Sequence, residues 1–247
     1  MATTPMEIQE LLYRQGFGTR RVCAGLVQQG YVSVEGVTLT DAAAEVDARE
    51  GLPFMVRGEA WAYHAKAYLM LHKPAGIECS QRPSAWPSVY TLLPAPLRQR
   101  PAKGGTDGVQ AIGRLDQDTT GLLLLSDDGA FIHRMSSPKR HVPKVYEVQG
   151  VHDFTPDQMR RLCDGVVLDD DPRPVRAAAA ERVDERHLRL TLTEGKYHQV
   201  KRMVAAVGNR VAGLHRSRIG GLALPADLAP GQWRWLDEGA LALLRPA

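Results

Sequence analysis

The chain has 247 residues, 44% hydrophobic and 24% charged, which fits a globular protein of one large or two modest domains and excludes wholesale disorder. No apolar run approaches the ~18–20 residues of a membrane span, and the N-terminus MATTPMEIQE lacks the basic and apolar segments of a secretory signal, so a cytoplasmic protein is expected. Net charge is only +3, and the three widely spaced cysteines, Cys23, Cys79 and Cys163, suit neither a disulfide framework nor a metal or redox cluster, so no metal is expected.

Ile8, Leu11 and Leu12 fall on one face of a first helix, which Gly16 and Gly18 break. Thr19 is placed to cap a second helix, with Val22 and Leu26 as its apolar stripe and Gly30 at its end. Tyr31–Val34 reads as a strand, Glu35-Gly36 as a tight turn and Val37–Leu39 as the returning strand. Within this stretch GTRR (18–21) and QQGYVSVEGV (28–37) resemble an S4 domain, a small RNA-binding module. The resemblance implies that Arg14, Arg20 and Arg21 meet an RNA backbone, because such contacts depend on local charge. Residues 1–60 are nevertheless net acidic, with five Arg/Lys against eight Asp/Glu, and a packing module without an RNA role is the alternative. Residues 1–60 are taken as this domain, 61–67 as a linker and 68–247 as a second domain.

In the second region Tyr68–Leu71, Val109–Ile112, Leu122–Leu125, Val145–Gln149, Leu188–Thr193 and Val211–Ile219 read as strands. Residues 130–136, 155–164, 198–207 and 238–244 read as helices. The elements intermix without strict βαβ alternation, so an α+β fold with a mainly antiparallel sheet is expected. Residues 94–108, rich in Pro and Gly, read as a mobile loop. Basic residues gather here in two clusters, 133–144 and 196–218, and the second holds six Lys/Arg with no acid. Such clusters point to a phosphate-rich partner.

On residue types alone several aspartates compete for a chemical role. Asp116 falls between two apolar strands, where a carboxylate is either paired or poised for chemistry. Asp118 reads as an Asx turn, and Asp127-Asp128-Gly129 as a turn that caps the following helix. Lys144 and Tyr146 share one strand face. Val200, Met203, Val204 and Val207 form the buried stripe of a helix, with Gly208 just past its end. His198, Lys201 and Arg202 line another face near the helix start, where cations and the helix dipole suit a carboxylate or phosphate. A solvated basic face is the alternative.

The segments LHKPAG (71–76), GRLDQDTTGLLLLSDDG (113–129), SPKRHVPKVYEV (137–148), EGKYHQVKRMVAAVGNRV (194–211) and LHRSRIGGLAL (214–224) closely resemble the pseudouridine synthases of the small-subunit rRNA type. The likeness runs over nearly the whole chain. It implies an isomerase, without cofactor, that breaks the N1–C1′ bond of a uridine in RNA, turns the uracil and joins C5 to C1′. It implies catalysis by Asp116, as nucleophile or as base toward the sugar. It implies Tyr146 stacked on the base, Ile219 against the uracil, and Lys201 paired with the aspartate, with Arg202 as the alternative partner. The uridine must leave its stack to be reached. Arg114 is the candidate for holding the opened RNA, a structural salt bridge being its other reading. Lys144, His198 and Arg202 are expected to line the substrate site, and Lys139, Arg140, Arg216 and Arg218 to hold phosphates. The partner implied is ribosomal RNA, most closely that of the small subunit, met by a monomer away from any membrane. Large-subunit rRNA, tRNA or a non-catalytic S4-type assembly role are the alternatives.

Overall fold

The structure is a computed structural model and describes residues 4–102 and 107–245. In chain order the elements are β1 (Thr4–Glu7), α1 (Ile8–Gln15), α2 (Arg20–Gln28), β2 (Val32–Val34), β3 (Val37–Leu39), β4 (Glu45–Ala48), β5 (Pro53–Val56) and β6 (Glu59–Ala62). There follow β7 (Tyr68–Lys73), α3 (Ala95–Arg98), β8 (Gln110–Ile112), β9 (Thr120–Ser126), α4 (Gly129–Ser136), β10 (Lys144–Gly150) and α5 (Pro156–Asp164). The remainder is β11 (Val166–Leu168), β12 (Asp171–Val175), β13 (Ala179–Arg182), β14 (His187–Leu192), α6 (Gln199–Ala206), β15 (Val211–Ile219), β16 (Leu222–Ala223), β17 (Trp233–Trp235) and α7 (Glu238–Ala242). The fold is α+β, and it divides into two compact units. One holds the residues up to Tyr68 with Leu93–Gln110 and Ser126–Gly129; the other holds Leu69–Leu92, Ala111–Leu125 and the chain from Ala130 onward.

In the first unit Thr19 caps α2, its hydroxyl accepting the Val22 N–H at 3.3 Å. The buried stripe of α2 is Cys23, Leu26 and Val27, whereas Val22 is 50% exposed. Both Val22 and Cys23 satisfy helical spacing to Leu26; the fully buried one is Cys23, which shares a core with Leu11 and Leu12 of α1. Glu35 and Gly36, with φ of 49° and 85°, turn β2 into β3 with the twist a two-residue hairpin needs. The expected linker is structured: Trp61 in β6 sits opposite Phe54 of β5 and meets Phe17 edge-on, and Tyr63 and Ala67 are buried.

The segment expected to be a mobile loop is also built in where it is described, while residues 103–106 lie outside the described residues. It starts with α3 and continues into Arg100, which is 3% exposed. Arg100 donates to Asp127 Oδ2 at 2.6 Å, Gln15 Oε1 at 2.9 Å and the His64 carbonyl at 2.8 Å. Asp127 is therefore not a helix cap; its other oxygen accepts the Ala67 N–H at 2.7 Å. Asp128 accepts the Tyr68 hydroxyl at 2.7 Å.

In the second unit, among the described residues, the sheet order is β13-β14-β10-β15-β9-β7-β17, with β16 on β15 and β8 on β9. β10 is antiparallel to both neighbours, as are β13 to β14 and β7 to β17, while β15 runs parallel to β9. Leu122–Leu125 of β9 are fully buried, as the continuous apolar run suggested. Gly121 lets β9 approach β15: its φ is 110°, and a Cβ there would lie 2.3 Å from the Arg216 carbonyl oxygen. A core of Val148, Leu162, Leu188, Leu190, Met203 and Val204 lies beneath α5 and α6. Thr155 and Gln158 form a reciprocal capping box at the start of α5.

One irregularity positions side chains for the site. Tyr146 pairs with Arg216 and Val145 with Arg218, so Ser217 is an extra residue, a β-bulge in β15. Arg216 and Ile219 are three apart and would point to opposite faces of a regular strand. The bulge brings both to the face of Tyr146 and Lys144, their cross-strand partners.

Candidate active site

That face borders a cavity of about 400 Å³, within the roughly 300–1,000 Å³ of small-ligand sites. Asp116 stands at its edge on the loop between β8 and β9. Lys73, the last residue of β7, holds this loop. It is fully buried, and its ammonium donates to the carbonyls of Pro74 (2.9 Å), Gln117 (3.2 Å) and Thr119 (2.9 Å). Burial pushes its pKa below the ordinary lysine range. The Gly76 N–H donates to the Gln117 carbonyl as well, at 2.8 Å. Sequence reading gave Lys73 no role; its only signal is a cation ending an apolar strand just before a proline.

The Asp116 carboxylate meets two bases. Lys201 Nζ lies 3.0 Å from Oδ2, and His198 Nε2 lies 3.3 Å from Oδ1. Lys201 also donates to both oxygens of Asp118, at 2.7 and 2.9 Å, so one ammonium serves two carboxylates. Asp118 is thus part of the cluster and not merely a turn residue. Burial disfavours the charged form of Asp118, but the hydrogen bonds and charge of Lys201 outweigh it and hold its pKa below 3.8. Burial likewise works against the Lys201 ammonium, yet Asp118 and Asp116 together raise its pKa above 10.5. The side chains of Asp116 and Lys201 are 26% and 27% exposed, so the pair is within reach of solvent.

His198 reaches Asp116 because it caps α6 in a left-handed conformation, φ 48°, with the Tyr197 ring stacked on it at 3.8 Å. Arg202 does not join them: it pairs with Asp170 and donates to the Tyr197 carbonyl at 3.2 Å. Tyr146 and Ile219, 9% and 4% exposed, line the cavity. Arg114 lines it too, is exposed, and forms no ion pair among the described residues. Lys144 lies on the same wall, its Nζ donating to the Val142 carbonyl at 3.1 Å.

Of the expected phosphate contacts, Lys139 and Arg140 are exposed on a single turn of 3-10 helix, and Arg218 is exposed on β15. Arg216 is not a surface contact. It is 2% exposed, lines the cavity, and donates through Nε to the Leu122 carbonyl at 2.8 Å. The bulge at Ser217 separates it from Arg218. In the first unit Arg14 and Arg20 both pair with Glu10, and Arg20 also lies 4.5 Å over the Tyr13 ring. Arg21 is exposed and has no ion pair among the described residues.

Residues 67–206 match the protein family described as RNA pseudouridylate synthase. The chain is 39% identical over 234 residues to ribosomal small subunit pseudouridine synthase A of Escherichia coli (strain K12), covering 92% of this chain and 95% of that protein. It is 35% identical to the protein of the same name in Pasteurella multocida (strain Pm70), covering 96% and 98%. It also aligns with a solved pseudouridylate synthase at 32% identity and a TM-score of 0.67, covering 97% of this chain and 100% of that one. No helix among the described residues is long and apolar enough to cross a membrane.

Proposed function

The chain belongs to the RNA pseudouridylate synthase family, and from that premise we propose that it isomerises a uridine of small-subunit ribosomal RNA to pseudouridine. The observation that carries this reading is the Asp116 carboxylate, paired with Lys201 at 3.0 Å and set at the rim of a nucleoside-sized cavity walled by Tyr146 and Ile219. Asp116 acts on the sugar, as nucleophile at C1′ or as base at C2′. Either route lets N1 depart as the leaving group. Lys201 holds and aims the carboxylate, and His198 orients its other oxygen. Tyr146 stacks on the uracil and Ile219 packs against it, which holds the freed base while it turns. Arg114, exposed at the rim and without a carboxylate partner, takes the place of the flipped nucleotide in the RNA.

Residues 1–60, with 61–67 packed into the same unit, act as an S4-like RNA-binding domain, and 68–247 supply the catalytic site. Arg21 is its best-placed phosphate contact, with Lys139, Arg140 and Arg218 doing the same on the catalytic domain. The enzyme works as a cytoplasmic monomer on rRNA or an assembly particle of the small subunit. The test is to map pseudouridines in rRNA from cells with and without the gene, and with Asp116→Asn in its place. One position of small-subunit rRNA should lose its pseudouridine in both the deletion and the variant, with the variant still folded and unfolding cooperatively. Loss only from large-subunit rRNA or tRNA would reassign the substrate; full modification by Asp116→Asn would remove Asp116 from the chemistry.

A further inference from the structure

The cavity wall formed by β10 and β15 carries two cations that the reaction outlined above does not use. Arg216 is 2% exposed, and its Nη2 is buried with no hydrogen-bond partner among the described residues. Lys144 is half-buried beside it on the neighbouring strand. Among the described residues neither has a carboxylate within ion-pair distance, while Asp116 is already engaged by Lys201 and His198. Burial, and after it the Arg216 charge, lowers the Lys144 pKa. An unsatisfied guanidinium nitrogen and an unneutralised ammonium on one buried wall oppose folding. Such a wall suits a ligand that brings an acceptor oxygen and negative charge.

We infer that Arg216, aided by Lys144, hydrogen-bonds a carbonyl oxygen of the flipped uracil and stabilises the negative charge that the base acquires as its glycosidic bond breaks. The inference rests on the isomerase reading above. Heterolysis of N1–C1′ leaves the electron pair on N1, delocalised onto O2 and O4. The electron deficiency at C1′ is met by the Asp116 carboxylate or by loss of the C2′ proton to it. Re-attack through C5 forms the C5–C1′ bond while the Asp116–C1′ bond breaks or, on the other route, while Asp116 returns the proton to C2′; C5 then loses its proton and N1 gains one. A donor on O2 or O4 is therefore useful on both routes, as an oxyanion hole is for acyl transfer. Burial selects the base over the backbone: a phosphate stays with the RNA at the mouth, where Arg114 is exposed, and only the base reaches a side chain that is 2% exposed.

The test is single-turnover isomerisation of an rRNA fragment carrying uridine, 2-thiouridine or 4-thiouridine at the mapped position. Wild type is compared with Arg216→Gln, Arg216→Lys and Lys144→Gln. Arg216→Gln should slow uridine by about 10²–10³-fold, the effect of removing one oxyanion donor, with RNA affinity unchanged. One of the two thio substitutions, the one at the contacted oxygen, should slow wild type about tenfold more than it slows Arg216→Gln. Arg216→Lys should recover part of the rate, and Lys144→Gln should repeat the pattern with a smaller loss. Thio effects that simply multiply with the Arg216→Gln effect would overturn the inference, because a merely structural arginine predicts that. If the Arg216 variants do not fold, the Lys144→Gln arm decides by the same criterion. Should wild type form no pseudouridine from the uridine RNA, the isomerase reading itself fails, and that result is distinct from a multiplicative thio effect.

Discussion

Replacing Lys201 by methionine tests the electrostatics of the site. The ammonium bridges Asp116 at 3.0 Å and Asp118 at 2.7 and 2.9 Å, so its loss leaves the two carboxylates with His198 as the remaining base within ion-pair distance among the described residues. Breaking a fully buried pair costs about 3–5 kcal/mol, and an exposed one about 0–1 kcal/mol. With Asp116 and Lys201 about a quarter exposed and Asp118 54% exposed, solvent screens much of the attraction. The expected loss of stability is therefore roughly 1–2 kcal/mol, between those limits. Its pH dependence follows from the two shifts. The Lys201 pKa is raised in the folded state, so its contribution is present below pH 10.5 and disappears as pH rises through the higher folded value. The Asp118 pKa is lowered, so its contribution is present above pH 3.8 and disappears as pH falls through the lower folded value. The difference between wild type and Lys201→Met should thus be flat across neutral pH and narrow at both extremes. Denaturant midpoints over that range measure it. Single-turnover rates should fall, because the cation that aims the Asp116 carboxylate is gone. Arg202→Met, whose side chain pairs with Asp170, should leave the single-turnover rate on bound RNA nearly unchanged. Equal midpoints and equal single-turnover rates for wild type and Lys201→Met would refute the bridge.

Lys73→Met removes the donor from three carbonyls, one of them buried, and should destabilise by about 2–3 kcal/mol, read from urea unfolding; it should also slow the chemical step, because the Asp116 loop loses its clamp. Gly121→Ala forces a Cβ to within 2.3 Å of the Arg216 carbonyl at a φ of 110°, so it should cost about 2 kcal/mol or more and show as a lowered melting temperature. Arg21→Glu should weaken rRNA binding and reduce its salt dependence by about one counterion while leaving single-turnover rates on bound RNA unchanged. A slowed chemical step there would tie the first unit to catalysis.

The parts of this protein that could be read from its sequence are those governed by local rules. Helix α6 follows from Val200, Met203 and Val204 at helical spacing, and the β2–β3 hairpin from Glu35-Gly36. The Asp116–Lys201 juxtaposition was legible only through resemblance, since 85 residues separate the two and no spacing rule relates them. What escaped was set by tertiary contact. Arg216 and Arg218 look like one basic cluster until the bulge at Ser217 turns one inward. Trp61 and Tyr63 lie in a polar-looking stretch but are claimed by the first unit's sheet and core. Arg100 sits in a Pro/Gly-rich segment whose composition gives no hint of its burial. Asp127 looked like a cap because capping is the commonest use of Asp-Asp-Gly, yet a buried arginine 27 residues upstream takes it instead.

The stitching of the first unit by Arg100 and Asp127 bears on how the chain is made. An amino-terminal domain ordinarily folds as soon as its last residue leaves the synthesising ribosome. Here the unit that holds the residues up to Tyr68 is complete only once a buried guanidinium at position 100 and the carboxylate that neutralises it at position 127 have been made. At roughly 5–20 residues per second, that delay is about 3–12 s. During it Gln15 and the His64 carbonyl lack the donor they share. The nascent segment is then exposed to early misfolding or to a chaperone, and completion of the amino-terminal unit becomes coupled to synthesis of the strand that follows Asp116.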